Sequence, residues 1–163
     1  MVDDREPVKG SAGSLRRVSP SEAKSLLDLG YVYVDVRSVE EFHDLHPVGA
    51  LNVPLPAGGL RGGPPTTAEF LAMMGRLFQK NAQIVVGCAT GVRSLRAVEL
   101  LCSAGFTDVV DQRAGIDGAR GAFGNLVEEG WAAAGLPVAT GQDAGSFAAL
   151  ERHGTADADR ARS

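Results

Sequence analysis

Long apolar runs are missing from this sequence: no stretch of 18 apolar residues occurs, which excludes a transmembrane helix as an expectation. Cysteine is scarce, with only Cys88 and Cys102 in 163 residues, so a disulfide framework is excluded and a reducing compartment is expected. Positive charge is in deficit, 16 Lys and Arg against 20 Asp and Glu, for a net charge of −4. That balance argues against nucleic acid or an anionic membrane as a main partner. The first residues, Met1-Val2-Asp3-Asp4-Arg5-Glu6, lack the apolar segment of a signal peptide. The expected location is therefore the cytoplasm, or a soluble organelle lumen if a targeting peptide has been removed.

What is present is an ordinary apolar content, enough for one folded core. Residues 1–14 are polar and read as a flexible lead-in, residues 15–139 as the folded domain, and residues 140–163 as a mobile tail with one helical turn near Phe147–Leu150. Ser19-Pro20-Ser21-Glu22 and Ser38 with Glu41 are capping boxes that open two helices. Thr66 or Thr67 opens a third, carrying Phe70, Leu71, Met74, Leu77 and Phe78 at helical spacing. Tyr31–Val36, Leu51–Val53, Gln83–Gly87 and Thr107–Asp111 read as strands, and Leu15–Val18 as a short edge strand. Pro54–Pro65 reads as a loop, residues 112–130 as an irregular glycine-rich excursion, and Trp131–Ala134 as a short helix. Strands alternating with helices predict an α/β fold: a small, mainly parallel β-sheet flanked by helices on both faces.

The richest stretch is Cys88-Ala89-Thr90-Gly91-Val92-Arg93-Ser94, directly after the strand and directly before a helix read from Ser94 to Leu101. The first N–H groups of a helix have no partner within it, and the helix dipole places partial positive charge there. A sulfur at that point is favoured as an anion, the form that attacks electrophiles. Gly91 permits a tight backbone path and Arg93 adds a permanent cation. Cys88 is thus the expected nucleophile, with Ala89, Thr90, Gly91, Val92, Arg93 and Ser94 forming an anion cradle. Asp35 and Arg37 close the neighbouring Tyr31–Val36 strand. In parallel sheets, reactive groups lie beyond the carboxyl ends of strands.

With these residues in place, the chain resembles a single-domain rhodanese, a sulfurtransferase. The matching pieces are Val34-Asp35-Val36-Arg37, Glu40-Glu41-Phe42, His46-Pro47-Val48-Gly49-Ala50-Leu51-Asn52-Val53-Pro54, the Cys88–Ser94 loop, Gly105-Phe106, and Trp131 with Gly135-Leu136-Pro137-Val138. The resemblance implies a persulfide on Cys88, loaded from a small sulfur donor such as thiosulfate and passed to cyanide, a thiol or a protein acceptor, with no metal or organic cofactor. Two departures stand out. The cation that often follows the cysteine is Ala89 here, so charge for a dianionic donor would come from Arg93 and backbone amides. The short Gly-Gly link to the tryptophan is replaced by Ala114–Asn125, which could bring Arg120 or Arg113 to the site as a cation, or Phe123 as a lid.

Two other classes are compatible with the residues. One is a sulfur carrier that serves a specific partner protein. The other is a phosphatase or arsenate reductase of a related fold, disfavoured because those place five residues between Cys and Arg, whereas only Ala89, Thr90, Gly91 and Val92 intervene here. Glu41 is four residues after Arg37, which predicts a helix-surface ion pair between them. Asp35 is expected to accept a hydrogen bond from Arg93 or from loop amides, and Arg93 to point either to a donor or back to Asp35. His46 reads as a turn or core histidine. Cys102 falls on an apolar stripe with Leu95, Val98 and Leu101, about 12 Å along the helix from the loop, too far for a disulfide with Cys88.

Overall fold

The computed structural model describes residues 15–55 and 66–152. The expected flexible segment 1–14, most of the Pro54–Pro65 loop and the tail from residue 153 lie outside the described residues.

Five strands form one sheet: β1 (Arg17–Val18), β2 (Val32–Asp35), β4 (Leu51–Asn52), β5 (Ile84–Gly87) and β6 (Val109–Gln112), in the order β1-β6-β5-β2-β4 with every pairing parallel. All of their carboxyl ends therefore open on one side. The β-branched runs Tyr31–Val36 and Gln83–Gly87 are completely buried at Val34, Ile84, Val85 and Val86, as a strand covered on both faces requires.

Side chains alternate across the sheet, and this parity sorts the core into two clusters. Val34, Val36, Ile84, Val86, Cys88 and Val109 face α3 (Thr67–Leu77) and α4 (Val92–Ser103), packing on Phe70, Met74, Val98 and Leu101. Tyr33, Val85 and Val110 face α1 (Pro20–Asp28) and α2 (Val39–Asp44), packing on Ala23, Phe42 and Trp131. Each buried Leu, Phe or Val contributes about 1.5–3 kcal/mol. Cys102 sits in the first cluster as core, and burial raises its thiol pKa. Both cysteines are free thiols.

The helix starts follow their sequence signals. Ser19, Ser38 and Thr66 each close a capping box with Glu22, Glu41 and Glu69. Three differences from the sequence reading matter. The excursion from 112 to 130 contains a two-stranded hairpin, β7 (Ala119–Arg120) with β8 (Leu126–Glu128). Trp131–Ala134 is a series of turns, not a helix. There, Trp131 is buried and donates from Nε1 to the Pro137 carbonyl at 2.9 Å.

The third difference is the tail. Residues 140–152 pack on the domain instead of trailing from it. Beyond β9 (Val138–Ala139), which pairs with β3 (His46–Pro47), the Gly145 carbonyl accepts from Asn52 N at 2.8 Å. The segment 147–152 is helical and buries Leu150. His46 is the anchor: wholly buried and stacked on Phe42, it lies 2.7 Å from Asp143 Oδ2 through Nε2 and 2.7 Å from the Phe42 carbonyl through Nδ1. Through Nε2 it ties this segment down, while Nδ1 holds it to α2.

Candidate active site

Cys88 directly follows β5, the middle strand of the sheet, and keeps the parity of Ile84 and Val86, so its side chain enters the α4 face. Cys88 is almost wholly buried, at 1% exposure. The backbone turns back at Gly91, whose φ of +92° suits glycine, and α4 starts one residue later than that turn with no side-chain cap. The sulfur takes over part of the capping role. Sγ accepts from Gly91 N at 3.1 Å and from Ser94 N at 3.3 Å, and lies 3.4 Å from the Ser94 hydroxyl. These are donors of the helix start that would otherwise be unpaired. Donors converging on one sulfur stabilise negative charge there.

The loop carbonyls face the other way. Cys88 O accepts from Ile116 N at 2.9 Å and Ala89 O from Asp117 N at 2.8 Å. Gly115, at φ +67°, lies so close that a Cβ there would collide with both carbonyls. Gln112 fixes this bracing turn. It is completely buried, its Oε1 accepts from Ala114 N at 2.8 Å and Gly115 N at 2.9 Å, and its Nε2 donates to Gly115 O at 3.0 Å. At the tip, a Cβ on Gly91 would collide with the Arg113 carbonyl, and Gly91 O accepts from Arg17 Nη2 at 3.2 Å. Gln112, Gly115 and Arg17 carry no sequence signal of this role; their part depends on what the sheet places beside the loop.

The charged residues are paired differently from the sequence expectation. Arg93 does not reach back to Asp35. It makes a forked contact with Glu41, Nη1 to Oε1 at 2.8 Å and Nη2 to Oε2 at 2.9 Å. The Arg93 guanidinium holds the Glu41 carboxyl down from 4.5 to about 2, and Glu41, with a smaller contribution from the Cys88 sulfur, raises the Arg93 pKa in turn. Glu41 is accordingly not the partner of Arg37. Arg37 precedes the N-cap Ser38 and so lies outside α2, where the i,i+4 geometry does not apply. It folds back on Asp35, with Nε 3.0 Å from Oδ1 and Nη2 2.8 Å from Oδ2, and donates also to the Leu45 carbonyl. Burial alone would lower the Arg37 pKa; the contacts with Asp35 reverse this and raise it. Strand parity explains the exchange. Asp35 shares the Tyr33 face of the sheet, which turns it toward α2 and away from α4.

Beside the outer side of the loop runs an open cleft of about 530 Å³, lined by Thr90, Gly91, Val92, Arg17, Arg113 and Arg120 among others. Arg113 is engaged by Glu128 at 2.9 and 3.0 Å. Arg120 donates from Nη1 to the Gly124 carbonyl at 3.4 Å. Phe123, at the hairpin tip, is 96% exposed and covers nothing.

A model of the rhodanese-like domain family matches residues 19–121. Thiosulfate sulfurtransferase 16 of Arabidopsis thaliana, a chloroplastic protein, is 42% identical over 94 residues, 58% of this chain and 78% of that protein. Rhodanese-like domain-containing protein 15 of the same plant, also chloroplastic, is 37% identical over 89 residues, 55% of this chain; the chain spans about half of that relative's length, 48%. Among solved structures, the crystal structure of the Alr3790 protein from Anabaena sp. superposes with a TM-score of 0.59 at 22% identity, covering 88% of this chain and 93% of that one. That likeness is one of fold.

Proposed function

Because the chain belongs to the rhodanese-like domain family, with more than half of it matched, we propose that it is a sulfurtransferase in which Cys88 carries a sulfane sulfur between a donor and a nucleophilic acceptor. The observation that carries this reading is the set of polar groups around one buried sulfur at the carboxyl end of the sheet: Gly91 N and Ser94 N donate to it, and the Ser94 hydroxyl accepts from its S–H. The Cys88 thiolate attacks the outer sulfur of a donor such as thiosulfate. The S–S bond of the donor breaks and sulfite leaves with the electron pair. The product is a persulfide whose terminal sulfur bears the negative charge. Amides arranged around the cradle stabilise that charge without reorganising. A thiolate, cyanide or a protein thiol then attacks the terminal sulfur and regenerates Cys88.

Arg93 enters this scheme as a brace, since both of its forked donors are occupied by Glu41. It ties the first turn of α4 to α2 and so holds the loop in shape. The cation best placed for an anionic donor at the mouth is Arg120, on the cleft that Thr90 and Gly91 line. Relatives named thiosulfate sulfurtransferase favour thiosulfate as a donor.

Intact-mass measurement after thiosulfate treatment tests the reading. Wild-type protein is expected to gain the mass of one sulfur atom, removable by cyanide, and Cys88→Ser none, because a hydroxyl cannot form a persulfide. Addition of that sulfur at Cys102, or none to the wild type with any sulfane donor, overturns it.

A further inference from the structure

The cysteine loop is held from the far face of the sheet. Cys88 packs with Ile84 and Val86, whereas Ile116 packs in the opposite cluster, with Tyr33 and Val85. Ile116 N and Asp117 N donate to the carbonyls of Cys88 and Ala89 at 2.9 and 2.8 Å. A trans peptide unit is planar, so its C=O and the N–H of the next residue point in opposite directions. Pinning those two carbonyls toward Ile116 therefore aims Ala89 N–H and Thr90 N–H the other way, onto the face that the Cys88 side chain enters. Among the described residues, neither amide donates to a protein acceptor. Sγ itself is served by Gly91 N and Ser94 N. Two further donors of the loop are thus left for an atom bound beyond Sγ.

Gln112 is what keeps the pinning turn in shape. Its Oε1 accepts from Ala114 N at 2.8 Å and from Gly115 N at 2.9 Å, and its Nε2 donates to Gly115 O at 3.0 Å and to the buried Tyr33 hydroxyl at 3.3 Å. A primary amide has two N–H donors and one oxygen with two lone pairs, and all four are used here. Tyr33 in turn stands under the residue before Cys88: a Cβ on Gly87 would fall on its hydroxyl. We propose that Gln112 is a positioning residue for sulfur transfer, which sets, through this turn, the direction of the Ala89 and Thr90 amides toward the terminal sulfur of the Cys88 persulfide. When the S–S bond of the donor breaks and sulfite leaves with the electron pair, the negative charge falls on that terminal sulfur, where preorganised amides act most strongly. The proposal rests on the sulfurtransferase reading and adds a division of labour: Gly91 and Ser94 amides serve Sγ, and Ala89 and Thr90 amides serve the sulfur it carries.

Two rates measured on the same protein separate this role from a merely structural one. One is single-turnover loading by thiosulfate, followed by intact mass, with the maximal rate and the half-saturating concentration read separately. The other is iodoacetamide alkylation of Cys88, scored by peptide mass spectrometry apart from Cys102, which draws only on the amides at Sγ. Gln112→Leu is expected to slow maximal loading about a hundredfold, while the half-saturating thiosulfate concentration and the alkylation rate stay within about twofold of wild type. Leucine leaves Ala114 N and Gly115 N without an acceptor, so Gln112→Glu decides the matter if Gln112→Leu does not fold. A protonated carboxyl there accepts from both amides and donates to Gly115 O; an ionised one sets a charged oxygen against that carbonyl. Gln112→Glu is therefore expected to load like wild type at acid pH and to fall behind it as the pH rises, with alkylation following the wild-type profile throughout. Loading that matches wild type at every pH, or loading and alkylation that fall together, overturns the proposal and leaves the sulfurtransferase reading standing. A wild type that gains no sulfur from any sulfane donor removes that reading, and the proposal with it.

Discussion

Asp35 and Asp111 lie on the two strands that flank the cysteine strand, both without exposed surface, and they are held in opposite ways. Asp35 is saturated. Arg37, two residues away, supplies its backbone N–H and a side-chain fork, and the pair is shielded together. Asp111 is ion-paired with Arg17, whose side chain is 38% exposed, and its Oδ1 has no hydrogen-bond partner among the described residues. Two buried carboxylates at similar depth thus serve different ends. One is locked into an ion pair that shapes the strand end. The other is left in a state that burial destabilises, and such perturbed groups cluster where chemistry is done.

The largest effect that sharpens this contrast is expected from Arg37→Ala. Removing one member of a buried pair strands the other, so chemical unfolding should show a loss of about 3–5 kcal/mol. Arg17→Ala leaves Asp111 buried but half-unpaired already, and should cost less, about 1–3 kcal/mol. Equal losses from the two substitutions would erase the distinction between the two acids.

A smaller effect is expected at the third pair, Glu41 with Arg93, which is part exposed. Arg93→Lys should change stability by about 0.2–1 kcal/mol, yet lower sulfur transfer clearly, because Lys cannot reproduce the fork that ties α4 to α2. Activity equal to wild type in Arg93→Lys would remove the bracing role. The same pair sets a pH dependence of known sign. The Glu41 carboxyl is depressed from 4.5 to about 2. Its contribution to stability is therefore complete above about 4.5 and is lost as the pH falls toward 2. Glu41→Gln should flatten that acid limb of the stability curve. Asp111 acts with the opposite sign: its raised carboxyl favours the folded state below the unfolded value of 3.8 and loses that contribution as the pH rises.

The smallest expected effect belongs to Arg120→Ala. If Arg120 attracts an anionic donor at the cleft, the thiosulfate KM rises with little change in kcat, since donor and transition state are bound alike. Added salt should mimic the substitution, as exposed charges are screened within about 10 Å. An unchanged KM at low salt would mark the cleft as surface.

The class of fold, the three capped helices and the place of Cys88 after a strand were legible in the order of the amino acids. These follow from local physics: β-branched runs, capping boxes and a cysteine between a strand and a helix are read within a few residues of chain. Tertiary structure decided the partners. Arg37 meets Asp35, Arg93 meets Glu41, and Arg17 meets Asp111, because strand parity and sheet order choose which side chains share a face. The same holds for Gln112 and Gly115, whose hold on the loop arises from a turn in space and has no periodicity to betray it, and for residues 140–152. Those residues are small and polar in composition, and read as tail. They are seated by backbone bonds to Asn52 and His43 and by a buried histidine nearly a hundred residues away in the chain, contacts that composition does not encode.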